Sequence, residues 1–301
     1  MRVKILGSGA GGAFPQWNCG CSNCRRLRSG AFHGSARSQA QVAVSGDGEA
    51  WFLLNASPDL RYQIEATPEL HPRDMGRNSP IRGVILSGAD LDLCLGLLLL
   101  REWHSLQVYS TAGVRAAITG GNRFFSTLER MPGQLNWQEV DQGTAHPFQC
   151  DCLRFSLLPL GGHYPSWVAS SSECPAEQAV SAIAIETGSQ SLAYLPGLPR
   201  VTPELVETLS ACDVLLIDGT FWSEEELIQV EPNGRRASEI GHVPMSGSGG
   251  TLEALSDLGG VRRIYIHINN TNPVLDESGP EYRAIREAGW ELAFDGMEIE
   301  L

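Results

Sequence analysis

Three cysteines fall within six residues, in the order Cys19-x-Cys21-x-x-Cys24. Thiolates this close can grip one tetrahedral zinc ion from a single loop, with a fourth ligand from elsewhere; a histidine or an amide oxygen would serve. The bland alternative is three reduced cysteines in a loop, but clustered exposed thiols are reactive. A structural zinc that pins the neighbouring glycine-rich loop is therefore the expectation. Eight cysteines are present, and the other five (Cys94, Cys150, Cys152, Cys174, Cys212) are scattered. In a reducing compartment a tight cluster reads as a metal site rather than a disulfide framework.

A second set of chemically capable residues is dispersed. Asp90 and Asp92 lie in SGADLDL, His163 in LGGHYPSW, Asp218 in LLIDGT, His242 in GHVP and His267 in YIHINNTNP. In α/β folds the carboxyl ends of strands converge on one crevice, so polar groups at several strand ends can meet. Imidazole with carboxylate suits zinc, iron or manganese. Asp218-Gly-Thr also reads as a turn or helix cap, and His242 as a loop histidine with its bonds satisfied. His267, between an apolar strand and the polar run Asn-Asn-Thr-Asn, is harder to read as filler. Asp90, and Trp17 in the loop FPQWN, are the candidate substrate contacts. Gly7, Gly9 and Gly12 mimic the dinucleotide fingerprint G-x-G-x-x-G. The segment FPQWNCGCSNC that follows is a loop rather than a helix, and the acidic residue expected ~20 positions later is missing, so that reading is rejected.

These groups need strands to carry them. Residues 2–6 alternate as a strand, and 39–47 with 49–57 read as two strands around an Asp-Gly turn. The pattern then gives a strand at 81–87, a helix at 91–102, a strand at 105–111 and a helix near 112–119. Further strands are expected at 151–160, 181–187, 190–197, 213–221 and 262–270, with helices at 203–212, 248–259 and 280–289 and a closing strand from Trp290. Residues 120–150 give no clear pattern. Hairpins followed by two sets of strand–helix alternation imply an α/β chain with two sheets covered by helices, a four-layer αββα sandwich. With no repeat and no linker, residues 1–301 are taken as a single domain.

The 301 residues are 42% hydrophobic and carry a net charge of −13. Such a surface repels phosphate backbones, so nucleic acid is not an expected partner. No apolar run approaches the ~20 residues that span a bilayer, and the N-terminus lacks a long apolar region with a cleavage pattern. A cytoplasmic protein without membrane contact is the expectation.

The segments GSGAGGAFPQWNCGCSNC, RSQAQVAVS, NASPDLR, GLLLLRE, YLPGL, DGTFW, IHINNTNPVLDE and AFDGMEIEL together resemble the PQQ biosynthesis protein B family of the metallo-β-lactamase-like superfamily. The resemblance runs along nearly the whole chain and implies the αββα fold drawn above. It implies a role in making pyrroloquinoline quinone (PQQ), a redox cofactor built from a Glu and a Tyr of a small precursor peptide. For the chemistry it implies iron(II)-dependent hydroxylation of the tyrosine ring; the alternatives are a carrier of the quinone or its precursor, and a paralogue serving another peptide-derived product. It places Asn270 where relatives with this fold put a zinc-binding histidine, making it the candidate fourth ligand beside Cys19, Cys21 and Cys24. The superfamily motif His-x-His-x-Asp-His falls on Gly88–Leu93, where Asp92 alone matches and Leu93 stands in place of the last histidine. The superfamily's bridging aspartate falls near Gly197. Asp92, His267 and one of His163, Asp218 or His242 remain to hold an iron ion, with Asp218 and His242 as proton carriers. The expected partners are the precursor peptide or a PQQ-like quinone, and a second copy of the chain in a homodimer. A two-metal hydrolase fits least, because bridging ligands are missing.

Overall fold

The run Val214–Asp218 (VLLID) is buried at every position. A strand buried on both faces reads as a continuous apolar run, and this is the signature of parallel sheet. It is one of fourteen strands in a computed structural model that describes residues 1–102, 104–120, 124–130, 132–147, 152–168, 173–231 and 233–301. In chain order the strands are β1 (Arg2–Gly7), β2 (Gln41–Ser45), β3 (Trp51–Leu54), β4 (Ile81–Ile85), β5 (Leu106–Ser110), β6 (Leu135–Glu139), β7 (His146–Pro147), β8 (Arg154–Gly161), β9 (Val180–Thr187), β10 (Gln190–Leu195), β11 (Val214–Asp218), β12 (Arg262–Ile266), β13 (Trp290–Leu292) and β14 (Met297–Glu300). The α-helices are α1 (Ser22–Arg28), α2 (Leu60–Glu65), α3 (Leu91–Cys94), α4 (Ala112–Thr119), α5 (Pro203–Ser210), α6 (Glu226–Val230), α7 (Thr251–Ala254) and α8 (Pro280–Glu287).

The chain divides into two units. One comprises residues 1–6, 41–190 and 296–301. Its main sheet runs β14-β1-β2-β3-β4-β5-β6, with β3 to β6 parallel and the β1/β14 and β2/β3 pairs antiparallel. Its core gathers Trp51, Leu53, Val84, Leu97, Val108 and Ile118. Strands β7, β8 and β9 form an antiparallel set in the same unit.

The other unit comprises residues 7–40 and 191–295. It contains the parallel series β10-β11-β12-β13. Tyr265 on β12 stacks on Trp290 of β13 at 4.2 Å between ring centres. Because β10, β11 and β12 are parallel neighbours, their carboxyl ends lie side by side, and the residues that follow each strand emerge together.

The structure departs from the sequence pattern at four places. The expected helix at 91–102 is a single α turn, α3, followed by a 3-10 segment at Leu95–Leu100. Backbone bonds from Gly96 N–H to the Ala56 carbonyl and from Ala56 N–H to the Leu93 carbonyl take the groups an α ladder would use. The helix expected over 248–259 shrinks to α7, which starts after Gly249-Gly250 and ends at a Leu255 cap. The closing strand splits into β13 and β14 at Asp295-Gly296, where Gly296 adopts φ +88° and Asp295 is held by Ser8 and Ser38. The cysteine segment is partly helical rather than all loop, since Cys24 lies on α1. Strand β6 lies inside the stretch without a clear pattern, and the first residue of the expected 151–160 strand, with Cys150, lies outside the described residues.

Candidate metal centres

Two groups of at least three metal-capable side chains occur among the described residues, with ligand atoms within 4.8 Å of one another: Cys19, Cys21 and Cys24, and Asp218, His242 and His267. Both belong to the unit built on β10–β13.

The thiol group is shaped by a helix start. Cys21 is the N-cap of α1, and its sulfur accepts from the Cys24 N–H at 3.5 Å. Cys19 sulfur accepts from the Cys21 N–H at 3.4 Å. Arg28, one helical turn or more further on, clamps the loop by donating to the carbonyls of Gln16 and Cys19. The side-chain amide of Asn270 sits over all three sulfurs, at 3.0, 3.7 and 3.4 Å from Cys19, Cys21 and Cys24. The two ends of an amide are interchangeable in outline, so a rotation about its last bond presents oxygen to the same point. Asn23 fixes the loop that carries Asn270 by donating to the carbonyls of Asn270 and Asn272. Burial opposes ionisation of Cys19, yet hydrogen bonds led by the Cys21 backbone carry its thiol below the ordinary value. Burial pushes Cys24 up to about 11, and the nearby Cys21 adds to the rise. Three thiolates this close cannot all carry charge without a cation among them, and three sulfurs with one amide oxygen fit a closed tetrahedral zinc site.

The imidazole group is assembled from strand ends. Asp218 ends β11 and is 0% exposed. Its Oδ2 accepts from His242 Nδ1 at 2.7 Å and from the Leu198 N–H, just beyond β10, at 3.0 Å. Its Oδ1 accepts from the Thr220 N–H at 3.0 Å and from the Thr220 hydroxyl at 2.5 Å. All four acceptor positions of the carboxylate are therefore in use, and Asp218 serves to orient His242. Thr220 Oγ1 also lies 2.8 Å from His267 Nδ1. A hydroxyl has one proton, and the short charge-assisted bond to Asp218 claims it; Thr220 then accepts from His267 Nδ1–H. Both imidazoles thus carry their proton on Nδ1 and their lone pair on Nε2, the arrangement that outer hydrogen bonds impose on metal-binding histidines. The rings stack at 5.7 Å between centres, and Phe221 packs edge-on against His242.

His267 follows β12 directly and adopts φ +61°, a conformation a residue with a side chain holds only where its surroundings enforce it. The Ile268 N–H bond to the Ser8 carbonyl and the Ala10 N–H bond to the Ile268 carbonyl supply that enforcement. His267 is 6% exposed, whereas the His242 side chain, at 17%, is the more reachable of the two. At Gly197, beside Leu198, an added Cβ would meet only open space.

Of the other sequence candidates, Asp90 and Asp92 lie at the start of α3 and His163 in the exposed turn after β8, all in the unit that holds β1–β9. None of them belongs to either group of ligands. Leu93 is buried beside Gly88. Trp17 is 87% exposed on the loop that Arg28 clamps. Sequence reasoning missed Thr220, which joins Asp218 to His267; its signal was the Asp-Gly-Thr spacing, read as a turn. It also missed Asn23 and Glu226, whose roles depend on contacts remote in sequence.

Comparison with known proteins gives this arrangement its relatives. A β-lactamase superfamily domain matches residues 50–268. Coenzyme PQQ synthesis protein B of Azotobacter vinelandii is 42% identical, and that of Methylococcus capsulatus 41%, each match covering 100% of both chains. The crystal structure of Zn2+-bound PqqB from Methylobacterium extorquens is 38% identical, with a TM-score of 0.92 over 100% of both chains. That likeness gives the chain the metallo-β-lactamase fold expected from its pattern of strands and helices. Matched end to end in sequence and in backbone, the chain belongs to the coenzyme PQQ synthesis protein B family.

Proposed function

We propose that this chain acts in the synthesis of PQQ, the process for which its relatives are named, and that its chemistry is hydroxylation of a peptide-derived tyrosine ring at the His242–His267 pair, with a structural zinc in the Cys19/Cys21/Cys24/Asn270 cluster. The observation that supports it is the pair of imidazoles oriented through their Nδ1 atoms, one by Asp218 and one through Thr220. Imidazole donors suit iron as well as zinc, and the zinc-bound crystal structure of the relative from Methylobacterium extorquens supports metal binding in this family. Iron(II), when held by His242 and His267, supplies the redox chemistry that lets dioxygen hydroxylate an aromatic ring. The protein's own part is to hold the two rings in place through Asp218 and Thr220 and to keep bulk water from the buried Asp218 side.

A second reading is a carrier of the quinone or its precursor. Leu93 favours it, since it is buried where the superfamily motif carries a histidine. Metal stoichiometry separates the two. Anaerobically purified protein loaded with iron(II) is expected to hold one zinc and about one iron, and His267→Ala to lose the iron and keep the zinc. Zinc without iron in the wild type would sink the hydroxylase reading and leave the carrier. Asp92→Ala, measured alongside, shows whether the ligand role implied by the resemblance is real.

A further inference from the structure

Glu226 is the first residue of α6 and is 6% exposed. Its two carboxylate oxygens are used by different loops. Oε2 accepts from the Trp222 N–H at 2.6 Å, in the turn that begins at Asp218. Oε1 accepts from the Thr271 hydroxyl at 2.5 Å, in the loop that begins at His267. The Thr271 hydroxyl in turn accepts from Asn269 Nδ2 at 2.6 Å. Weaker ties run beside this bridge: Asn269 N–H donates to the Thr220 carbonyl at 3.1 Å, and Asn272 Nδ2 to the Gly219 carbonyl at 2.9 Å. The contact that these ties enclose is Thr220 Oγ1 on His267 Nδ1.

We propose that Glu226 is a positioning residue: by bolting the 218–222 turn to the 267–272 loop it holds Thr220 against His267 and so fixes the tautomer and orientation of that imidazole. This deepens the reading of His242 and His267 as the working pair and rests on it. A buried carboxylate is a costly bolt. Burial pushes Glu226 up to about 7, against the opposing effect of its hydrogen bonds from Thr271 and the Trp222 backbone. A group kept at such a cost to stability marks a site that stability alone did not shape.

Glu226→Gln keeps the shape and removes the charge. Its amide then sets an N–H against one of two donors, the Trp222 N–H or the Thr271 hydroxyl, so one end of the bolt opens. The first readout is nitrogen-15 NMR of labelled histidine in protein with zinc at the cysteines and no other metal. The wild type is expected to show Nδ1–H tautomers for both His242 and His267. The variant is expected to keep the His242 signal, which depends on Asp218, and to show mixed tautomers for His267. The second readout is cobalt(II) titration of the same samples, in which the variant should bind about tenfold more weakly. The melting temperature at pH 8 should hold or rise, because a buried charge has gone. Thr271→Val opens the Thr271 end of the bolt and should reproduce the His267 tautomer change. An unchanged His267 spectrum in both variants overturns the proposal, and so does a loss of both histidine signals with a large fall in melting temperature, which would make Glu226 a brace of the fold. Absence of cobalt binding in the wild type would count against the proposed function instead, while the tautomer readout still decides the role of Glu226.

Discussion

At the scale of single residues, the imidazole pair depends on one hydroxyl. Thr220 Oγ1 touches Asp218 Oδ1, His267 Nδ1 and the His267 carbonyl. Valine has nearly the same outline and none of these bonds. Thr220→Val is therefore expected to leave a buried Nδ1–H and a carboxylate oxygen short of partners, at a cost of about 1–3 kcal/mol in urea unfolding. Loss of an outer hydrogen bond of this kind typically weakens a metal site 10–100-fold, so iron affinity should fall by about that factor. A variant of unchanged stability and unchanged iron affinity would show that Thr220 is not the link. Asp218 and His267 were legible as strand-end residues because an ionisable group at the end of an apolar run is unusual. Thr220 was not, because a threonine after Asp-Gly is an ordinary turn residue until a histidine distant in sequence is placed against it.

At the scale of elements, the cysteine cluster is a helix cap as well as a metal-capable group. Cys21 caps α1 through its sulfur, and Asn270 reaches the cluster from the loop after β12. Cys21→Ser removes a thiolate from this group. It should abolish zinc retention, measured by elemental analysis after gel filtration. Its cost in stability should run to several kcal/mol, because metal binding free energy becomes folding free energy. A soluble variant with full zinc and wild-type stability would refute the structural-zinc assignment. The spacing of the three cysteines was readable in advance, and their place on a helix start was not, because Cys-Gly-Cys-Ser-Asn carries no apolar period. A different cause hid the real extent of α3. A leucine run has high helix propensity, but at Gly96 an added Cβ would lie 2.3 Å from the Ser57 carbonyl oxygen, so tertiary contact overrode local preference.

At the scale of the whole molecule, the carboxylates give two opposite pH dependences. Hydrogen bonding to Lys4 draws Glu69 below its ordinary value, and hydrogen bonding to Arg262 does the same for Glu291. A depressed carboxyl group adds stability above its unfolded pKa of about 4.3, and that stability is lost as pH falls through the lower folded value. These pairs are partly exposed, so each is worth at most about 1 kcal/mol. Glu226 runs the other way. Raised to about 7, it favours folding below the unfolded value, and the benefit fades as pH climbs towards and past 7, by an amount on the order of 2–3 kcal/mol. Urea midpoints are expected to show Glu226→Gln gaining on the wild type between pH 5 and pH 8, and Glu291→Gln losing to it at pH 7 but not at pH 3. A parallel course for wild type and Glu226→Gln would mean that the buried acid does not titrate in this window. The α/β class was readable from the order of hairpins, strands and helices. The division of the last twelve residues between β13 and β14 was not, since Asp295 turns the chain through bonds to Ser8 and Ser38, nearly the whole sequence away.

Trp17 adds a practical consequence. Its indole stands in water on a loop that Arg28 ties to the residues around Cys19, while Trp51 and Trp290 are sealed in the interior. Light emitted by Trp17 is therefore red-shifted and open to iodide quenching, whereas emission from the two sealed rings is not. The chain carries seven tryptophans, so the light that iodide quenches before and after the thiol cluster is emptied reads the cysteine loop as the difference between the wild type and Trp17→Phe.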